Sequence, residues 1–190
     1  MYEHGFTTVA MSDKFNKTGR IFYEARIDSA VGCAQLGWAG DKFAPSSGDI
    51  TDDKGVGDDE DSWAADGLRR VAFHDREQSP FDVSWTDGDV IGVAADLNSG
   101  RILYALNGDW ITVFDGINVP TSGLAPALAA TGGFSATLNF GGDPFAFGKP
   151  DKTFASVKQA DSHYHMSPSR KTAFGAKLEA VSHYPKGPFR

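Results

Sequence analysis

Hydrophobic and polar residues alternate with a period of two along much of this chain, the spacing that sends successive side chains to opposite faces of a β-strand. Arg20 to Asp28 places Ile21, Tyr23, Ala25 and Ile27 on one face and Phe22, Glu24 and Arg26 on the other, after a turn at Lys17-Thr18-Gly19. Val31 to Ala39 reads as the next strand. Val90 to Leu97 is apolar on both faces, which predicts a central strand covered twice, whereas Phe134 to Phe140 has an inside-outside pattern. Asn98-Ser99-Gly100 joins two apolar runs. Ile102 to Leu106 leads into Asn107-Gly108, a pair that tolerates positive φ and favours a two-residue hairpin, and Trp110 to Phe114 returns. No stretch before Pro150 has a helical period, so the pattern predicts an all-β fold, an antiparallel two-sheet sandwich.

Composition agrees with many tight turns around one core. The 190 residues include 22 glycines and 14 phenylalanines against 3 methionines, and 41% are apolar. That length suits a single core, and no apolar run approaches the roughly 18 residues of a membrane span. The start, Met1-Tyr2-Glu3-His4, has no basic and apolar signal pattern. The single cysteine, Cys33, cannot form an internal disulfide, so a reducing, cytoplasmic setting is expected.

Charge divides the chain in two. Residues 1–148 hold 10 Lys/Arg against 22 Asp/Glu, while 149–190 hold 8 against 3, and 20 of the 22 glycines precede residue 149. The expected organisation is a sandwich over 1–148 and a basic extension over 149–190, with the boundary near Pro150. The acidic body argues against nucleic acid as a ligand, because duplex affinity comes from cations neutralising phosphates. The extension is expected to be irregular and partly helical, since Phe174, Leu178 and Val181 recur at i, i+4 and i+7, with Phe154, Tyr164, Tyr184 and Phe189 as separate anchors. So few apolar groups cannot order 42 residues unaided, so the extension would dock either on the acidic body or on an acidic partner such as tubulin. A free end that tethers nothing is the remaining reading.

Candidate chemistry is sparse. The run from Asp49 to Asp66 contains Asp52, Asp53, Asp58, Asp59, Glu60 and Asp61 but matches no EF-hand register, so it reads first as a solvated acidic loop, then as a surface for a basic segment. No metal or cofactor is expected. His74-Asp75 are neighbours on a strand and point apart; Ser62, Ser79 and Ser84 lack a nucleophile elbow; Cys33 lies within an expected strand. No phosphate loop or dinucleotide fingerprint occurs, and the chain is expected to have no enzymatic activity. Trp38 and Trp63 read as core anchors, Asn107 as a turn residue, and Asp96 as a cap for the turn that follows it.

Several local signatures, in order over about 140 residues, resemble the SPRY domain, the core of the B30.2 family. They are Gly19-Arg20-Ile21-Phe22-Tyr23-Glu24, Leu36-Gly37-Trp38-Ala39, Gly57-Asp58-Asp59-Glu60-Asp61-Ser62-Trp63 followed by Asp66-Gly67, and Gly88-Asp89-Val90-Ile91-Gly92. Asp96 to Gly108, Leu124-Ala125-Pro126-Ala127 and Leu138-Asn139-Phe140-Gly141 complete the series. The resemblance implies a bent sandwich of the concanavalin-like, jelly-roll type that presents loops to protein partners and performs no chemistry. In peptide-binding relatives the contacts come from three segments, which match Met11 to Phe15, Asp52 to Val56 and Thr131 to Gly133 here. The implied partner-binding residues are Lys14, Phe15, Asp52, Asp53, Lys54, Val56, Thr131 and Gly132, and Asp52, Lys54 and Thr131 differ from the aromatic and apolar contacts of those relatives. For the extension the expected docking residues are Phe154, Tyr164, Phe174, Leu178 and Tyr184. The function expected is a non-catalytic interaction module, an accessory subunit of an intracellular assembly, with the cytoskeleton or the axoneme of a cilium as one setting. The alternative is a lectin-like, carbohydrate-binding module.

Overall fold

The structure is a computed structural model that describes residues 6–10, 15–44 and 54–157. Two sheets pack face to face. The first runs β1 (Thr7–Ala10), β10 (Ala125–Ala130), β3 (Ala34–Ala39), β4 (Ser62–Asp66), β5 (Val71–His74) and β6 (Glu77–Pro80), all antiparallel. The second runs β11 (Phe134–Asn139), β2 (Arg20–Ala30), β7 (Val90–Asp96), β8 (Arg101–Leu106) and β9 (Asp109–Asp115). A short β12 (Ala155–Ser156) pairs in parallel with Ile21 and Phe22, the end of β2 that β11 leaves free. Among the described residues the elements are strands alone, as the period-two pattern predicts.

The alternation on β2 decides what fills the core. Ile21, Tyr23, Ala25 and Ile27 face the first sheet, where they meet Leu36, Trp38, Trp63 and Leu128. Two phenols cross this interior: the Tyr23 hydroxyl donates to the Gly37 carbonyl at 2.9 Å and the Tyr104 hydroxyl to the Leu36 carbonyl at 2.8 Å. Burial pushes both phenols far up from their ordinary range, so each stays a donor. Gly37 is required where it stands, because a Cβ there would lie 1.9 Å from the Trp63 carbonyl oxygen of β4.

The opposite face of the second sheet is also covered. Glu24, buried on the outward face of β2, accepts the N–H groups of Ala146, Phe147 and Gly148 at 2.7, 3.0 and 2.8 Å. This fixes a strap over the sheet, and Phe145 and Phe154 pack with Phe22 and Ala94 beneath it. The described chain therefore does not part from the sandwich at Pro150: Phe154 and Val157 are buried, so Phe154 docks on its own domain. Tyr164, Phe174, Leu178, Val181, Tyr184 and Phe189, with the helix expected there, lie outside the described residues.

Val31 is the clearest departure from the predicted strands. The strand starts at Ala34, and Val31 stands 67% exposed in a bend that Gly32 closes with φ +103°. The turn assignments follow the sequence: Asn107 has φ +50°, and Asp96 accepts the N–H groups of Asn98 and Ser99. Burial alone would raise the Asp96 carboxyl, but hydrogen bonds from Ser99, Arg20 and Asn98 outweigh it and hold the group below the usual carboxylate range.

Tyr23→Phe and Tyr104→Phe should each lower stability by about 0.5–1.5 kcal/mol, because each removes a buried hydrogen bond between the sheets, and urea unfolding midpoints measure this. For Asp96, a depressed folded pKa means stability that is present above the unfolded value of about 3.9 and is lost as pH falls through the folded one. The stability gap between wild type and Asp96→Asn should therefore be widest near neutral pH and shrink below about pH 4.

Candidate functional site

Strand register sorts the expected contact segments to opposite ends of the first sheet. Ala130 of β10 pairs with Thr7 and Ala34, whereas Ala125 pairs with Ala39, and Asn16 bridges to Leu124. Thr131 to Gly133 thus lies at one end and Phe15 at the other, separated by the length of β10, roughly 17–20 Å. Phe15 does not share a surface with Thr131 and Gly132. Lys14, Asp52 and Asp53 lie outside the described residues.

Two expected contact residues are buried and have other roles. Val56 is fully enclosed among Ala39, Ala64, Ala127 and Ala129 on the outer face of the first sheet, because the Lys54–Gly57 segment lies across it. Thr131 is buried as a brace, its hydroxyl oxygen accepting the Cys33 N–H at 2.9 Å. Neither presents a side chain to a partner. Lys54 is half-buried and Gly132 is exposed.

At the Thr131 end the two bends form one ridge. The Ser29 hydroxyl donates to the Gly133 carbonyl at 2.9 Å, and the bends approach so closely that a Cβ on Gly32 would lie 2.7 Å from the Gly132 oxygen. A Cβ on Gly133 would lie 2.8 Å from the Val31 oxygen. Gly32 and Gly133 both have positive φ, so glycine is needed for conformation as well as space. Val31 and Gly132 are left on the crest. The ends of β4 and the start of β1 reach the same side: Leu68 is 45% exposed, and Arg69 lies over the Phe73 ring at 4.4 Å and the Phe6 ring at 5.5 Å while its Nε holds Asp66 at 2.7 Å. Val31 and Leu68 were not singled out by the sequence pattern, which put Val31 inside a strand. The glycine immediately after Val31 and the Asp66-Gly67 turn before Leu68 are the signals that mark them.

The acidic run is not simply solvated. Asp61 is buried and accepts the Lys42 N–H at 2.7 Å; Asp59 accepts the Ser62 hydroxyl at 2.7 Å; Asp58 accepts the Gly55 N–H at 2.7 Å. Among the described residues, no group of three or more His, Cys, Asp and Glu side chains is placed to hold a metal ion.

Two antiparallel sheets whose loops meet in a rigid, partly apolar ridge define a scaffold of the interaction type. The chain belongs to the SPRY domain family, whose family model matches residues 20–143, and a SPRY domain is in general a protein-interaction module. The E3 ubiquitin-protein ligase RKP of Arabidopsis thaliana is 35% identical over 164 residues, covering 85% of this chain and 12% of that protein. The chain therefore spans about an eighth of that relative's length. Coverage of that extent takes in the 144–157 strap, which the family match leaves out.

Gly32→Ala should cost about 1–3 kcal/mol, since the new methyl meets backbone and the left-handed φ is strained. Urea unfolding, with amide shifts read at residues 131–133, checks both the cost and its location.

Proposed function

We propose that this chain is a non-catalytic, intracellular protein-recognition module that docks a segment of a partner on the ridge formed by Val31, Gly132 and Leu68. The observation that carries the reading is Val31: a large apolar side chain, 67% exposed, on a bend held rigid by close glycine contacts. Preorganisation of this kind lowers the ordering cost of binding.

The name of the Arabidopsis thaliana relative favours a ubiquitin-transferring assembly, in which this module selects what is brought to the ligase. The cytoskeletal or ciliary setting rests on the charge of the extension alone and is the less supported of the two. A carbohydrate site would need free aromatic faces, but Trp38, Trp63 and Trp85 are buried, and Trp110 packs on Gly92. The absence of chemistry is supported by Ser62 and His74. The buried Ser62 hydroxyl is engaged by Asp59 and by the Gly57 N–H, and the His74 ring lies flat on Trp63 with its Nδ1 at 2.9 Å from the Ser62 carbonyl oxygen.

Affinity capture from cell extract, with wild type and Val31→Glu/Leu68→Glu in parallel, tests the reading. The variant should keep its unfolding midpoint and lose at least about tenfold in affinity for the proteins captured specifically by wild type, equivalent to about 1.4 kcal/mol. Equal capture by both forms, or saturable glycan binding without protein capture, would show the reading to be wrong.

A further inference from the structure

The second sheet ends on β9, and among the described residues no strand pairs with its outer edge. The Asn107 N–H donates to the Val90 carbonyl at 2.9 Å, which fixes the alternation of backbone hydrogen bonds along the strands that follow. Ala105 and Leu103 bond toward β7, so the backbones of Leu106 and Tyr104 bond toward β9, to Asp109 and Ile111. The N–H and C=O groups of Trp110 and Thr112 therefore point away from the sheet. After Thr112 the register with β8 shifts, so the regular part of the edge is 109–112.

Folded proteins blunt such edges with proline, lysine or an inward-pointing charge, or cover them. β9 holds neither proline nor lysine, and residues 110–114 are uncharged, β-branched or aromatic. The edge at β6 is different, being Glu77-Gln78-Ser79-Pro80. Apolar side chains also flank β9. Of the large apolar residues exposed among the described ones, Val31 and Leu68 belong to the ridge, while Ile111 (42%) and Phe147 (54%) belong here. Ile111 projects from the face opposite to Trp110. Phe147 comes from the strap on the Trp110 side and packs against the turn at Gly108. A strand laid against β9 would cover both.

Charge selects the occupant. Asp109, exposed at the start of β9, forms no ion pair among the described residues, whereas Asp115 at its end is held by Arg101 at 3.0 Å. Two copies of β9 laid antiparallel with full overlap would set Asp109 of each against Asp115 of the other, and like charges directly opposite repel. A segment with a cation opposite Asp109 has no such conflict.

We propose that the edge of β9 takes up one extended segment of a partner protein by strand addition. The segment's backbone bonds to Trp110 and Thr112, apolar or β-branched residues lie opposite Trp110 and Ile111, and a Lys or Arg lies opposite Asp109. This edge is three strands away from β2, after which Val31 follows, roughly 14 Å at the usual strand spacing. It is therefore separate from the ridge and does not depend on it.

The probe is a capped heptapeptide of alternating Val and Thr with Lys at both ends, titrated into the isotopically labelled full chain. The amide signals of residues 109–113 should shift saturably, and those of 131–133 should not. Thr112→Pro should weaken binding at least about tenfold and leave the unfolding midpoint nearly unchanged, because the N–H it removes faces away from β8. Ile111→Lys, which keeps every backbone group, should weaken it as well. The same peptide with Glu at both ends should bind wild type about threefold more weakly than the Lys form, and Asp109→Lys should reverse that order. No saturable shift at 109–113, undiminished binding by folded Thr112→Pro or by Ile111→Lys, or no preference between Lys and Glu ends would overturn the proposal. So would a concentration-dependent dimer, seen by sedimentation, that Thr112→Pro or Ile111→Lys abolishes, since the occupant would then be a second copy.

Discussion

Two phenol hydroxyls join the halves of this molecule. Tyr23 on β2 and Tyr104 on β8, strands on either side of β7 in one sheet, both end on carbonyl oxygens of β3, which is central in the other. Apolar packing is tolerant of small slides between sheets, whereas a buried hydroxyl without an acceptor is not. The phenols therefore set which residue of β3 lies over which residue of β2 and β8. Once β3 is placed, its register with β10 and β4 places every loop at the two ends. The ridge at the Thr131 end is a consequence of that single alignment.

The acidic character of the body has a similar structural origin. Asp58, Asp59, Asp61, Asp66 and Asp96 each accept backbone N–H groups at a turn. A fold with so many tight connections between short strands leaves many amide donors outside the ladders, and carboxylates are strong acceptors for them. Net charge alone thus overstates how much negative surface is offered to a partner.

The sandwich was legible because period-two alternation and turn residues act locally, and both survive into the fold at β2, β7 and the Asn107-Gly108 hairpin. The site was less so, for reasons that are also physical. Val56 sits in a polar, acidic stretch that reads as a loop, and nothing local indicates that the chain crosses a sheet face and buries it. Phe15 and Thr131 were grouped by analogy of order along the chain, but only the pairing of β1 with β10 reveals that they lie at opposite ends. The role of Glu24 is likewise invisible in sequence, since its donors lie more than 120 residues away. Asp96 was legible as a cap, because the N–H groups it accepts are those of Asn98 and Ser99, two and three residues on.

The close approach of Gly32 and Gly133 also separates rigidity from identity. The backbones of the two bends hold each other, through hydrogen bonds and through the space that absent side chains leave, and neither the Val31 side chain nor Gly132 takes part in the core. The crest can therefore be rewritten at those two positions without repacking anything beneath it. Such a place can change what it recognises while the scaffold stays as it is, and for the same reason it is a natural point at which to graft a short foreign sequence.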